Sequence, residues 1–401
     1  MRIAIAGRPG AGKSALFELL VHRAGPEGGD ASGRGGLRTA HSEVPDPRVG
    51  ELSRAYHPRK TTLARLVFQD LEQKSGPVYP ALSSERRDLL AQSELILLVI
   101  DLYHSKPDDW KSEAASQWRA ALEEYTICDL AVVETRRERL EKALKIGQKP
   151  TFPGEPDVLA RLHAHLEVGR PAGGFHFTED EEQGLRGYSF LSARPVLPAF
   201  NLDESNLAGA TDTLRGIAEG ILPAAAATAA ESGPGSASGS GSAAGPGTAS
   251  GPGTASGSGA RADAPWVLFS AEAERQIQEL PPEDQAAFLE AFHLAEPAVA
   301  QVIRAAYSVA GLQSFFTVGD DEVRAWTVRR GATAPEAAGV IHSDLEKGFV
   351  RAEVLAYDDW VRYGSHSAAR DKGAVRLEGR EYFVRDGDIL NIRSGLARGG
   401  R

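Results

Sequence analysis

Apolar residues fill Arg2–Ala6 and stop at a glycine-rich turn, the pattern of a short strand. From Lys13 to His22 they recur as Leu16, Leu19 and Leu20, which lie on one face of a helix and not of a strand. Leu66–Asp70 reads as a second strand. The stretch Glu94–Asp101 is apolar almost throughout and reads as a strand buried on both faces. Pro195–Phe200 and Trp266–Ser270 read as two more, although Pro198 removes a ladder donor from the first of them. Strands alternating with helices predict an α/β fold with a doubly wound, parallel sheet.

Two stretches depart from that alternation. Leu130, Val133, Leu140 and Leu144 keep helical spacing through a charged region. The spacing breaks over Gly147–Pro156, resumes at Leu159, Leu162 and Leu166, and ends at Gly169 and Pro171. It predicts a hairpin of two antiparallel helices projecting from the sheet. After Gly311 the pattern changes to short strands, such as Phe349–Leu355 and Glu381–Val384, with Asp386-Gly387-Asp388 as a tight turn. This predicts a separate small C-terminal domain. The expected divisions are 1–128 and 173–311 for the sheet domain, 129–172 for the hairpin and 312–395 for the C-terminal domain.

Composition sharpens this picture at one point. Of 43 glycines, ten lie between Pro223 and Ala264, where no Val, Ile, Leu, Met, Phe, Tyr or Trp occurs. A segment with nothing to bury cannot offset its ordering entropy, so 223–264 reads as a disordered linker interrupting the sheet domain. Six more glycines lie between Gly25 and Gly36 and read as a mobile loop after the first helix. The 45 basic and 55 acidic residues give a net charge of −10, which argues against coating nucleic acid by bulk positive charge. The single cysteine, Cys128, excludes an intrachain disulfide and a cysteine zinc site. No signal pattern opens the chain, and its longest strongly apolar run, Leu95–Ile100, is far short of a bilayer span. A cytoplasmic, monomeric protein that does not enter the membrane is expected.

The candidate chemistry begins at the first turn. Gly7-Arg8-Pro9-Gly10-Ala11-Gly12-Lys13-Ser14, followed by Ala15, satisfies G-x-x-x-x-G-K-S between a strand and a helix. Such glycines let backbone N–H groups wrap phosphate oxygens, and the helix N-terminus adds partial positive charge. Lys13 would reach the outer phosphates and Ser14 would hold Mg²⁺ through its hydroxyl. Asp70, at a strand end, is the candidate to orient Mg²⁺ through water. In switch GTPases that Asp opens D-x-x-G. Here Gln73 stands where the Gly should be.

Asn201-Leu202-Asp203-Glu204 follows a predicted strand at the position where such sheets read a base. Asn201 can meet a purine edge as donor and acceptor, and the Glu204 carboxylate can accept from ring donors. Guanine reading usually needs Asn-Lys-x-Asp, and this run lacks the Lys. Ser270-Ala271, after the last strand, falls where a backbone N–H near the base is expected.

With these features the chain resembles the YchF-type Obg-like ATPase family of the translation-factor GTPase superfamily. The resemblance rests on Val44-Pro45-Asp46-Pro47-Arg48, on Cys128-Asp129-Leu130 with Glu134–Lys142, on Asn201–Glu204, and most of all on the C-terminal run. That run comprises Glu322–Thr327, Ala334–Glu353, Leu377-Glu378-Gly379 and Asp386-Gly387-Asp388. It implies a P-loop NTPase sheet with an inserted helical hairpin, a β-grasp TGS domain that contacts RNA or the ribosome, and ATP preferred to GTP. The chain departs from the family around the terminal phosphate. D-x-x-G is lost at Gln73, no Thr is securely placed in the segment near Arg38-Thr39-Ala40, and His104 lacks the motif around the family's catalytic His. A nucleotide-binding protein with weak or absent hydrolysis is therefore expected. The alternatives are an active ATPase with an unrecognised water-positioning residue, and an RNA-binding module with a relic P-loop domain.

Overall fold

The computed structural model describes residues 1–23, 29–30, 36–71, 83–221, 266–292, 294 and 296–395. The linker expected at 223–264, Gln73 and most of the glycine cluster between Gly25 and Gly36 lie outside them.

The first eight strands in chain order are β1 (Arg2–Gly7), β2 (Gly29–Asp30), β3 (Leu37–Glu43), β4 (Lys60–Thr62), β5 (Arg65–Leu71), β6 (Leu95–Asp101), β7 (Val196–Asn201) and β8 (Val267–Phe269). All but β4 form one sheet in the order β2-β3-β5-β1-β6-β7-β8. β5, β1, β6, β7 and β8 run parallel, while β3 and β2 add an antiparallel edge. The helices of this half are α1 (Lys13–Arg23), α2 (Pro47–Tyr56), α3 (Ser84–Gln92), α4 (Trp110–Lys145), α5 (Glu155–Glu167), α6 (Glu179–Leu185), α7 (Ala210–Ile221), α8 (Ala271–Glu279), α9 (Pro282–Ala291) and α10 (Ala298–Val309). Successive residues of β1 face opposite layers. Ile3 and Ile5 join a core with Leu16, Phe17 and Phe68, and Ala4 and Ala6 join another with Ile96, Trp110 and Phe200. This is the doubly wound sheet that the alternation predicts.

Pro198 fits without loss. The carbonyls of Pro195 and Asn201 accept from β6, so the even-numbered residues of β7 turn their backbone toward β8. Among the described residues β8 pairs with β7 only from Ala199 onward, so none of them stands opposite the missing N–H. β3 was not anticipated. Its polar residues mask an alternation in which Ala40 and Ser42 are buried while His41 and Glu43 are exposed.

The hairpin is present, but its first helix starts well before Leu130. α4 is one uninterrupted helix of 36 residues, about 54 Å long, that packs on β6 at its start and on α5 near its end. Val133 and Leu140 of α4 enclose a small core with Val158, Leu159, Leu162 and Leu166 of α5. The buried Glu155 carboxylate accepts from Arg136 Nε at 2.8 Å and from the Thr151 amide at 2.7 Å.

The C-terminal half adds β9 (Leu312–Thr317), β10 (Glu322–Arg329), β11 (Phe349–Ala356), β12 (Arg376–Glu378) and β13 (Asp388–Ser394), with α11 (Ala334–Ile341), α12 (Ser343–Lys347), α13 (Tyr357–Tyr363) and α14 (His366–Asp371). Its sheet runs β12-β11-β13-β9-β10-β4. Glu381–Val384, expected as a strand, makes only an isolated bridge from Phe383 to Thr333. The bridge consists of the Val384 amide donating to the Ala332 carbonyl and the Ala334 amide donating to the Tyr382 carbonyl, and it goes no further because the Val384 carbonyl accepts from the Gln313 side chain and not from a strand. The edge strand β4 comes from the first half of the chain and pairs parallel to β10, Lys60 to Glu322 through Thr62 to Arg324. Phe316, Leu355, Trp360 and Ile389 join the same core as Ile3 and Phe17. The C-terminal sheet is thus built onto the first half and shares its core.

The Val44–Arg48 run lies at this junction. Asp46 caps α2 by accepting from the Arg48 amide at 3.0 Å, and Pro47 takes the first helical position, where its missing N–H costs nothing. The Arg48 guanidinium then forks to Asp46 and reaches Asp386 Oδ2 at 2.7 Å, its carbon 5.0 Å from the Phe316 ring centroid. Tyr357 donates to Glu51 across the same seam at 2.5 Å. Arg48→Ala is expected to lower stability to urea by about 2 kcal/mol, because it strips charge-assisted bonds from two carboxylates at once. An unchanged unfolding midpoint would show that the seam holds without it.

Candidate functional site

β1 ends at Gly7 and α1 begins at Lys13, so the loop between them is only five residues long. Its glycines are required for different reasons. A Cβ on Gly7 (φ +138°) would collide with the Val99 carbonyl oxygen. One on Gly12 (φ +96°) would lie 2.5 Å from Asn201 Nδ2. Gly10 (φ +80°) has open space around it and is needed for its dihedral alone. Within the loop the Arg8 carbonyl accepts from the Ala11 amide at 3.3 Å and from Lys13 Nζ at 2.6 Å. Ala11 is fully buried, Lys13 is buried, Ala15 is half-buried and Ser14 faces out at the start of α1.

Lys13 is held in an unusual state. Burial pushes its pKa down to about 8, Arg86 on α3 pushes in the same direction, and Asp70 opposes them. An anion placed beside it would restore the charged form.

Asn201 ends β7 at 4 % exposure and braces the loop from behind. Its Nδ2 donates to the Ala11 carbonyl at 3.1 Å and its Oδ1 accepts from the Ala271 amide at 3.4 Å. One side chain thereby ties together the phosphate loop, β7 and the start of α8. Ser270 is fully buried and caps α8, its Oγ accepting from the Ala273 amide at 3.5 Å. Glu204 lies one short turn beyond Asn201, and its Oε2 accepts from Gln276 Nε2 of α8 at 3.1 Å. Asp203, between them, accepts from the Ser205 amide at 3.0 Å. The residues expected to read a base therefore meet along α8, with Gln276 as a member that motif spacing gave no reason to include.

The other side of the loop differs more from expectation. Asp70 is buried at the end of β5 and stands directly opposite Arg38 in the β3–β5 ladder. The Arg38 guanidinium donates to Asp70 Oδ2 and lies 4.7 Å from the Phe17 ring centroid. Among the described residues Asp70 Oδ1 has no hydrogen-bond partner. Thr39 is fixed in β3 opposite Gln69, and successive strand residues face opposite sides, so it points away from Asp70. His104 is exposed and stacks edge-on to Tyr103 with ring centroids 5.0 Å apart. Among the described residues no group of three His, Cys, Asp or Glu is placed to hold a metal ion.

A divalent cation at the phosphates would draw on the Ser14 hydroxyl and Asp70. That set does not fit it as it stands: the one carboxylate is already paired with Arg38, and Lys13 adds a second positive group beside it. Arg38 was not singled out from sequence, because only strand register reveals its partner.

A parallel sheet whose first strand passes through a glycine loop and a buried lysine into a helix defines a P-loop NTPase fold. A ribosome-binding ATPase YchF of Haemophilus ducreyi is 31 % identical over 402 residues, covering 97 % of this chain and 98 % of that protein. The chain belongs to the YchF family. The Bacillus subtilis ribosome-binding ATPase YchF is 29 % identical, with 97 % and 98 % coverage, and rice (subsp. japonica) Obg-like ATPase 1 is 27 % identical, with 100 % and 94 %. The YchF-GTPase_C family model, described as a protein of unknown function (DUF933), matches residues 312–395. The solved structure of the Schizosaccharomyces pombe YchF GTPase shares the fold, with a TM-score of 0.72 at 21 % identity over 98 % of this chain and 97 % of that one. No described helix is long and apolar enough to cross a membrane.

Gly12→Ala tests the brace. Its methyl group must displace Asn201 or distort the loop at a positive φ, so unfolding free energy in urea should fall by about 2 kcal/mol. A variant as stable as the parent would mean that Asn201 and the loop are not in contact.

Proposed function

We propose that this chain binds a purine nucleotide, ATP in preference to GTP, in association with the ribosome, and hydrolyses it slowly or not at all. The observation that carries the reading is the buried Lys13 within a loop braced by Asn201. A lysine ammonium and the first amides of a helix, brought together at one glycine loop, favour a bound polyphosphate. Relatives named as ribosome-binding ATPases support the ribosome as partner, with residues 312–395 as the contact unit and the cytoplasm as location. Residues 1–128 and 173–311 would form the nucleotide-binding unit and 129–172 the hairpin between its parts, in a monomer.

The base preference follows from Glu204. Guanine offers N–H donors at its ring edge and needs a free carboxylate to receive them, whereas adenine does not. Gln276 already donates to that carboxylate. Weak hydrolysis is supported by Thr39, which is tied into β3 and faces away from Asp70. Oriented donors around the reacting phosphate each supply a large share of transition-state stabilisation.

Equilibrium titration with fluorescent analogues should give ATP about tenfold tighter than GTP, the worth of one hydrogen bond to a charged group. Lys13→Ala should weaken both by about a hundredfold. If neither nucleotide binds at millimolar concentration, the proposal is lost. Steady-state turnover equal to that of the Bacillus subtilis relative assayed alongside would remove the claim of weak hydrolysis.

A pH series adds a separate check on Lys13. Bound phosphate favours the ammonium form. Affinity should therefore be level below pH 8, where the free site is already protonated, and should fall above it. The limiting slope is about tenfold per pH unit, and Lys13→Ala should flatten it. A wild-type affinity that stays level well above pH 8 would contradict the assignment.

A further inference from the structure

The conflict between Arg38 and a metal ion has a consequence for how phosphate is held. Arg38 opens β3 and Asp70 lies near the end of β5, so antiparallel pairing sets them face to face at the end of the sheet where the phosphate loop lies. Their side chains are 14 % and 2 % exposed. The pair is anchored from below by Phe17 on α1, and Arg38 Nη1 also lies 3.9 Å from Glu18. Among the described residues, Arg38 Nε and Asp70 Oδ1 are buried without a hydrogen-bond partner, which leaves one donor and one acceptor unused in the pair, and Asp70 lies close enough to Lys13 to act on its charge. A hydrated magnesium ion held between phosphates and a protein carboxylate is disfavoured when that carboxylate is already paired and a guanidinium stands beside it. A planar guanidinium, in contrast, meets phosphate oxygens directly and carries its own charge.

Resting on the nucleotide-binding reading above, we propose that Arg38 takes the place of the divalent cation at the phosphate site, so that this chain binds nucleotide equally well with and without magnesium. Asp70 is then a positioning residue for Arg38 and not a member of a metal shell. Arg38 supplies the charge on the terminal-phosphate side of the loop, and Lys13 supplies it from the helix side.

The test is titration of the full chain with a fluorescent ADP analogue and a fluorescent ATP analogue, in excess magnesium and in excess EDTA at matched ionic strength. Wild-type affinities in the two buffers should agree within about threefold. Arg38→Gln keeps the stem over Phe17 but removes the charge. It should bind more weakly in EDTA and recover about tenfold on adding magnesium, because Asp70 is freed. Arg38→Lys keeps a charge there and should stay insensitive to magnesium. Wild-type binding that magnesium tightens more than about tenfold overturns the proposal, as does an Arg38→Gln protein that remains insensitive. The wild-type comparison decides alone if Arg38→Gln does not fold. Binding in either buffer leaves the nucleotide-binding reading intact, whereas no binding in both removes that reading and this inference together.

Discussion

The site depends on a backbone that has to be held from behind. A loop that turns its amides toward an anion cannot pair those amides within secondary structure, so its shape must come from elsewhere. Asn201 provides that support, donating to the Ala11 carbonyl and accepting from the Ala271 amide. The close approach leaves no room for a side chain at Gly12, and the Val99 carbonyl leaves none at Gly7. Sequence, loop shape and the end of β7 are therefore one constraint. The residue expected from sequence to meet a base is thus the one whose side chain ties the phosphate loop to α8.

A second dependence runs along residues 37–71. This segment begins with Arg38 at the phosphate side, passes through α2 and its Arg48 seam, lends β4 to the C-terminal sheet, and returns along β5 to Asp70. Both of its ends lie in the first sheet and its middle strand lies in the C-terminal one. Any rearrangement of Arg38 must therefore be absorbed within a short, tied stretch of chain. One tied stretch of chain thus joins the phosphate loop's side of the first sheet to the C-terminal sheet.

The phosphate loop was legible in the sequence because its signature is local: glycines at positive φ and a lysine at a helix start, within eight consecutive residues. The buried strand β6 was legible because nothing but burial explains six consecutive large apolar side chains. The order of elements followed from both. What could not be read was set by distant pairing. β4 is three polar residues, Lys60–Thr62, that become a strand only because β10 lies alongside. Arg38 is one arginine among many until the β3–β5 register puts it against Asp70. Gln276 joins Glu204 across a gap of 72 positions. Glu381–Val384 has the composition of a strand, but its backbone hydrogen bonds go to Ala332 and Gln313. That the hairpin's first helix begins at Trp110 was hidden for a simpler reason: α4 contains no helix breaker between Trp110 and Leu130, so the projecting part continues an existing helix without a seam.

Asn201 shapes the phosphate loop, and the loop so shaped is proposed to bind polyphosphate. Calorimetric titration of wild type and Asn201→Ala with ATP and with inorganic pyrophosphate tests it most directly. If Asn201 braces the loop, the variant loses affinity for both ligands in step, although pyrophosphate has no base to read. Pyrophosphate binding that survives unchanged while ATP binding falls would contradict the account and leave Asn201 as a base contact only.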